Sequence, residues 1–310
     1  MINESTINQY LQNLLKEDCQ IEQIVGLGDV NEVYKIGTAE CDYVLKVNKS
    51  EVIDNFLKEK WCLEQTGNID IPVPKVIDVS TYQDASFCLL SFIDGMNSSK
   101  LTDINIQNLL FTKLGKYSQQ LITISHIESI GDLKSKEEAP KWFYEDYLGY
   151  EIRQTSSEDD YLVIPKENRQ LLLDSLELIK NTKFEFVLCH GDISLTNCMY
   201  DSLNDIVYLI DFGCAETQPK NYFEIMLKWL DLKYEKLITQ TNFDRFLKGL
   251  IGDEADAWLK DNIKIIEAFA LVYSLDKYRW AHDKSSEAFE GDYLKRLLKL
   301  SDSLTRSGIS

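Results

Sequence analysis

The amino-acid sequence predicts an α+β chain in two lobes: a small sheet-rich lobe over residues 1–95 and a larger, mainly helical lobe over 96–310. Three observations carry that expectation. Short runs rich in β-branched and aromatic residues, punctuated by Gly and Pro, recur as far as Gly95. Beyond Gly95 the apolar residues repeat at helical spacing. With 44% hydrophobic residues in 310, the chain has enough apolar material for one large core or two smaller ones, which argues against disorder.

Taken in order, the N-terminus reads as an amphipathic helix with Ile7, Tyr10, Leu11, Leu14 and Leu15 on one face. It lacks the basic start and apolar block of a secretory leader. IEQIVGLGDVNEVYKI reads as two strands joined by a Gly-containing turn, and DYVLKV as a third. A helix is expected from about 51 to 65, with Val52, Phe56, Leu57 and Leu63 on its apolar side. IPVPKVIDVS opens on two prolines and becomes a fourth strand; SFCLLSFIDG is the fifth. A hinge is expected at 91–95. Leu109, Leu110, Leu114, Leu121 and Ile122 mark one long helix, residues 171–179 another, and residues 222–310 several more.

Composition narrows the partners. A formal net charge of −18 repels nucleic acid and anionic membranes and favours a cationic ligand. No apolar run approaches the ~18 residues of a bilayer span. The seven cysteines are scattered, odd in number and without a CxxC pair, which predicts reduced thiols in the cytoplasm.

Two apolar strands, FEFVLC and DIVYLI, each run toward an aspartate. The first enters HGDISLTN (190–197); the second enters Asp211–Phe212–Gly213. The pattern H-x-D-x-x-x-x-N, then a strand, then DFG, meets the needs of phosphoryl transfer. Asp192 is placed to act as the base for an attacking hydroxyl. Asn197 and Asp211 offer hard oxygens to Mg²⁺. The two strands are expected to pair as a hairpin that delivers both aspartates to one cleft. Upstream, Lys46 ends an apolar strand where it would reach nucleotide phosphates, and Glu59 on the next helix is placed to pair with it, with Glu64 as the alternative. Gly26 and Gly28 could cover the phosphates, although Asn31 stands where a G-x-G-x-x-G loop has its third glycine.

HGDISLTN and LIDFG, with IPVPKVI and FIDG upstream, resemble the aminoglycoside phosphotransferase family, bacterial antibiotic kinases with a protein-kinase-like fold. The likeness runs from about 20 to 235. It implies a two-lobed protein-kinase-like fold with a five-stranded antiparallel sheet and one helix in the N-terminal lobe. It also implies ATP or GTP as donor with Mg²⁺, and adenine hung from the hinge backbone at Ser91 and Ile93 beside Leu90. Gly191, where protein kinases carry Arg, is typical of small-molecule kinases, and no APE-like motif follows DFG. His190 is expected to brace the loop.

A polycationic acceptor calls for carboxylates and aromatic walls. The helical lobe offers Glu216, Glu224, Asp231, Glu235 and Asp276, with Trp229, Tyr278 and Trp280, and residues 145–151 add more. NYFEIMLKW and SLDKYRWA resemble the hygromycin phosphotransferase branch. The alternatives are a kinase of choline, homoserine, methylthioribose or a macrolide, or a nucleotide-binding pseudokinase.

Overall fold

Alternation along two central strands organises the N-terminal part of the protein. In the computed structural model, which describes residues 3–24, 31–49, 52–157, 164–283 and 287–306, the chain begins with helix α1 (Glu4–Leu15). Strands β1 (Gln20–Gln23), β2 (Glu32–Gly37) and β3 (Asp42–Asn48) follow, then α2 (Asp54–Gly67), β4 (Val76–Tyr82) and β5 (Ala85–Ser91). The five strands form one antiparallel sheet, as the family resemblance implies, in the order β1-β2-β3-β5-β4. In β3 and β5 the residues Leu45, Val47, Phe87 and Leu89 join Ile7, Tyr10 and Leu11 of α1 in one core. Lys46 and Cys88 are paired across the two strands, and the Lys46 ammonium bonds to α2. Strand period two thus sends apolar residues to α1 and the lysine to the other face; a one-residue slip would exchange them.

Helix α2 departs from its sequence reading. Phe56 and Leu63 are buried, but Val52 and Leu57 are exposed, while Lys58 and Glu59 are buried. The face that packs inward therefore carries a pair of charges, which an apolar-periodicity argument assigns to solvent.

The remaining elements are β6 (Met96–Asn97), α3 (Ile104–Leu121), α4 (Ala139–Lys141), α5 (Leu148–Ser156), α6 (Lys166–Lys180), β7 (Phe186–Cys189), β8 (Cys198–Asp201), β9 (Ile206–Leu209), β10 (Glu216–Pro219), α7 (Tyr222–Leu230), α8 (Gln240–Ile251), α9 (Ala255–Asp283) and α10 (Glu287–Arg306). Two π-helical stretches, Trp142–Tyr147 and Asp231–Glu235, lead into α5 and follow α7. Packing groups the chain into two units. One comprises residues 1–110, 128–133 and 190–216; the other comprises 111–127, 134–189 and 217–310. The second unit is helical around a buried aromatic cluster in which Phe143 meets Phe186 and Phe269 at 5.4 and 6.1 Å. Among the described residues, no helix is long and apolar enough to cross a membrane.

The expected pairing of FEFVLC with DIVYLI is corrected by the structure. Strand β7 pairs with β10, and β9 pairs with β8. The reason is local. Asp201 accepts the Leu203 and Asn204 amides, and Asp205 takes φ 52°, so the chain turns back immediately after β8.

Tyr10 joins α1 to the sheet: its ring stacks on Phe87 at 4.3 Å and its hydroxyl donates to Asp78 at 2.8 Å. Tyr10→Ala is expected to lower unfolding free energy by ~3–5 kcal/mol, the cost of emptying an aromatic site. A urea titration followed by circular dichroism measures it.

Candidate active site

Hairpin register brings the two motif loops together. Cys198 pairs with Leu209, and the Ile210 amide donates to the Asn197 carbonyl at 3.0 Å. Asn197 and Asp211 therefore sit at the open end of one hairpin, although 14 positions separate them in sequence. His190, fully buried, ties the two loops a second time. Its Nε2 donates to the Ile210 carbonyl at 3.1 Å and its Nδ1 accepts the Asp192 amide at 3.3 Å, so its neighbours select the tautomer. The ring packs on Phe212 at 4.5 Å. One neutral imidazole thus links the backbone beside Asp211 to that of Asp192.

Gly191 is the position where only glycine fits. Its φ is +82°, and a Cβ there would overlap the Cys214 carbonyl oxygen. The arginine that protein kinases carry would prise the loops apart. Asp211 itself takes φ 63°, unusual for a non-glycine residue, while its carboxylate accepts the Gly213 amide at 3.3 Å.

The electrostatic centre is Lys46. Its Nζ lies 2.6 Å from Glu59 Oε1 and 3.0 Å from Asp211 Oδ1. Burial pushes the ammonium down, but the Glu59 and Asp211 carboxylates outweigh it and hold Lys46 above the ordinary lysine value. Burial pushes Glu59 up; Lys46 and the Phe212 amide oppose that. Burial also works against the Asp211 carboxylate, yet the Lys46 charge and the Gly213 amide bring it below its ordinary 3.8.

Asp192 is exposed at the loop surface, and Asn197 reaches back to it. The Asn197 Nδ2 donates to the Asp192 carbonyl at 2.9 Å and to Asp192 Oδ2 at 2.8 Å. Both partners are oxygens, so the amide nitrogen must face Asp192 and the amide oxygen must point away. That oxygen and the Asp211 carboxylate are hard donors that could hold Mg²⁺, an ion that keeps waters and substrate phosphates for its other positions. Among the described residues, no three His, Cys, Asp or Glu side chains gather into a closed metal cage.

The other candidates fall in different places. Gly26 and Gly28 lie outside the described residues. Leu90 is buried, and Ser91 and Ile93 are half-buried at the end of β5. The Ser91 amide donates to Lys75 and the Gly95 amide to Ile93, which shapes this segment as a tight bend. Asn97, which the sequence reading did not single out, donates from Nδ2 to the Thr196 carbonyl at 2.7 Å and so supports the HGDISLTN loop. Nothing in its local sequence marks it. Among the acceptor candidates, Trp229, Glu224 and Tyr278 are buried, Glu216 is half-buried, and Trp280 is 46% exposed. Asp231 pairs with Lys228, and Glu235 pairs with Arg296 at 3.1 Å. Asp276 lies one turn before Trp280 on α9, its carboxyl raised by burial despite Lys277 and Arg279 nearby.

A five-stranded sheet with a buried lysine–glutamate pair, a DFG turn and an HGD loop defines a small-molecule kinase, an enzyme class that phosphorylates hydroxyl groups. The family model of the phosphotransferase enzyme family (APH) matches residues 23–219, and the chain belongs to that family. Among individually curated proteins none matches the sequence. Several solved structures share the fold. A thermostable mutant of aminoglycoside phosphotransferase APH(4)-Ia in its apo form aligns with TM-score 0.70 at 16% identity, covering 98% of this chain and 99% of that one. The GDP complex of aminoglycoside 2'-phosphotransferase-IIIa aligns at 0.72 with 13% identity, covering 97% and 99%. Macrolide 2'-phosphotransferase MphH from Brachybacterium faecium aligns at 0.66 with 13% identity, covering 94% and 97%. At such identities the likeness concerns the fold, which is kinase-like.

The Asp211 shift has a definite sign. Its folded value is below the ordinary 3.8, so its ion pair stabilises fully above that value and the contribution is lost as pH falls through the lower folded value. The gap in urea midpoint between the wild type and Asp211→Asn should be level from pH 5 to 7 and close below 3.8. A gap unchanged at the acid end would contradict the ion pair.

Proposed function

We propose that this protein transfers the γ-phosphoryl group of ATP or GTP, as the Mg²⁺ complex, to a hydroxyl of an aminoglycoside antibiotic and so confers resistance to it. The observation that carries the proposal is the buried Lys46 ammonium held by Glu59 and Asp211 in the same unit as Asp192 and Asn197. Lys46 would meet the α- and β-phosphates. Leu90, Ser91 and Ile93 would receive adenine, and Gly26 and Gly28 would cover the phosphates. Asn197 through its amide oxygen and Asp211 through its carboxylate would hold the metal, which when bound neutralises charge on the transferring phosphoryl group.

Asp192 is the base. Its carboxylate takes the proton of the acceptor hydroxyl as that oxygen bonds to the γ-phosphorus. The bond from that phosphorus to the β–γ bridging oxygen breaks, and the nucleoside diphosphate leaves. Asn197 holds Asp192 in place for this role through its two hydrogen bonds. Because Asp192 is exposed, its carboxylate is accessible to an incoming hydroxyl.

The acceptor half of the proposal draws on charge. A net charge of −18 suits a polycation, and relatives of the same fold are aminoglycoside phosphotransferases, one of them solved with hygromycin B. Asp231, Glu235, Asp276, Glu216, Trp229 and Trp280 are the proposed acceptor residues. A macrolide is the second reading, since MphH shares the fold. Choline, homoserine and methylthioribose complete the panel. Seven cysteines, none of them in a disulfide and four of them buried, suit a cytoplasmic setting.

An NADH-coupled assay of ATP and GTP against aminoglycosides, macrolides and these metabolites tests the reading. Turnover with none of them would leave it without support. Asp192→Asn is expected to lower kcat by ~10²–10⁴ while nucleotide still binds. Near-normal turnover by that variant would place the base elsewhere.

A polycationic acceptor also predicts a salt response. Charge-assisted contacts weaken as the Debye length shrinks to ~4 Å near 0.5 M salt. The acceptor KM is expected to rise steeply with salt, and the nucleotide KM less. Asp231→Asn or Glu235→Gln at a true contact should raise acceptor KM and flatten its salt dependence. An acceptor KM indifferent to salt would point to a neutral substrate.

A further inference from the structure

Lys58 is 1% exposed, deeper than Lys46 at 8%, and the phosphotransfer chemistry does not use it. Its Nζ lies 2.7 Å from Asp132 Oδ1. The side chain of Asp132 is 65% exposed, so one partner of the pair is in water and the other is not. Asp132 belongs to a tight turn in which Ile130 and Leu133 exchange backbone hydrogen bonds at 3.3 and 3.0 Å. Leu133 is buried at the end of that turn. Gly131, at φ +60°, is seated so close to α2 that a Cβ would come within 3.3 Å of the Asp54 Cβ.

Asp54, Lys58 and Cys62 are spaced four apart and form one stripe of α2. The turn grips that stripe twice, at Asp54 through Gly131 and at Lys58 through Asp132. Glu59 is the next residue and starts the stripe that meets Lys46 and the Phe212 amide. Residues 58 and 59 share a peptide bond on a rigid helix. Neither can shift along or around the axis without the other.

We propose that Lys58 and Asp132 are positioning residues: their ion pair clamps α2 in the rotation at which Glu59 engages Lys46, and so sets how tightly the nucleotide phosphates are held. This rests on the reading of Lys46 as the phosphate-binding lysine. Removing the Asp132 charge leaves a buried ammonium without a counter-ion. Lys58 relieves that by moving toward water, and α2 turns with it, which carries Glu59 away from Lys46. Replacing Lys58 by an apolar residue of similar length removes the buried charge but also the grip of the turn.

The test uses the full chain, with Mg²⁺ and the non-hydrolysable ATP analogue AMP-PNP as the probe. Calorimetric Kd, Tm and amide hydrogen exchange over residues 54–67 are measured for Asp132→Asn, Asp132→Glu, Lys58→Met and Lys46→Met. Asp132→Asn is expected to weaken AMP-PNP about tenfold, equivalent to ~1.4 kcal/mol of lost binding. It should also speed exchange along α2, and Asp132→Glu should restore both. Lys58→Met is expected to weaken Kd similarly with Tm at or above the wild type, because apolar replacement of a buried charge is often neutral or stabilising. A purely structural pair would instead move Tm and leave Kd untouched, and that result would overturn the proposal. If Lys46→Met binds AMP-PNP normally, the reading of Lys46 fails by itself. In that case α2 exchange in Asp132→Asn still decides the clamp: unchanged exchange overturns it.

Discussion

A lysine ammonium taken out of water is the constraint on which the rest of this protein depends. Lys46 is buried in a sheet whose neighbouring positions are apolar, and an isolated charge there would be costly. Two carboxylates compensate it, and they come from distant parts of the chain: Glu59 from α2 and Asp211 from the turn after β9. Each must be delivered to within about 3 Å, so the position of α2 and the path of the DFG turn are tied to one atom. The Phe212 amide bonding to Glu59 closes this arrangement into a ring of mutual support. A site assembled in this way is preorganised: the charges that would meet a nucleotide's phosphates are held before any ligand arrives.

The loops that carry the remaining chemistry are ordered by neutral groups. His190 spends both ring nitrogens on backbone, one beside Asp211 and one at Asp192. Gly191 permits the Cys214 backbone to lie against it. Asn197 faces Asp192 with its amide nitrogen and leaves its oxygen outward. Four polar contacts therefore order the backbone around Asp192 and Asn197, while Ile193 and Phe212 anchor the loops by full burial.

Much of this was readable from residues. The five strands, α1 and α2 followed from alternation and punctuation, because a half-buried strand must alternate and a turn must carry Gly, Pro or Asp. The order HGD, Asn, strand, DFG pointed to phosphoryl transfer because it supplies a carboxylate base and two hard oxygens for Mg²⁺. Pairing of the strands was misread. FEFVLC and DIVYLI look alike as apolar runs, and hydrophobicity says that a strand is buried without saying beside which neighbour. The turn at 201–205 made the choice, bringing β9 back on β8.

By itself the sequence determined the class of fold, the location of Lys46, Asp192, Asn197 and Asp211, and an acidic surface, since these rest on composition and local spacing. Tertiary structure alone decided which charges are buried. Lys58 and Val52 show it: periodicity assigns the lysine to solvent and the valine to the core, and the fold does the reverse. Burial of a charged group depends on whether a counter-charge arrives from elsewhere in the chain. Asp132 arrives from 74 residues away, a distance that no local pattern encodes.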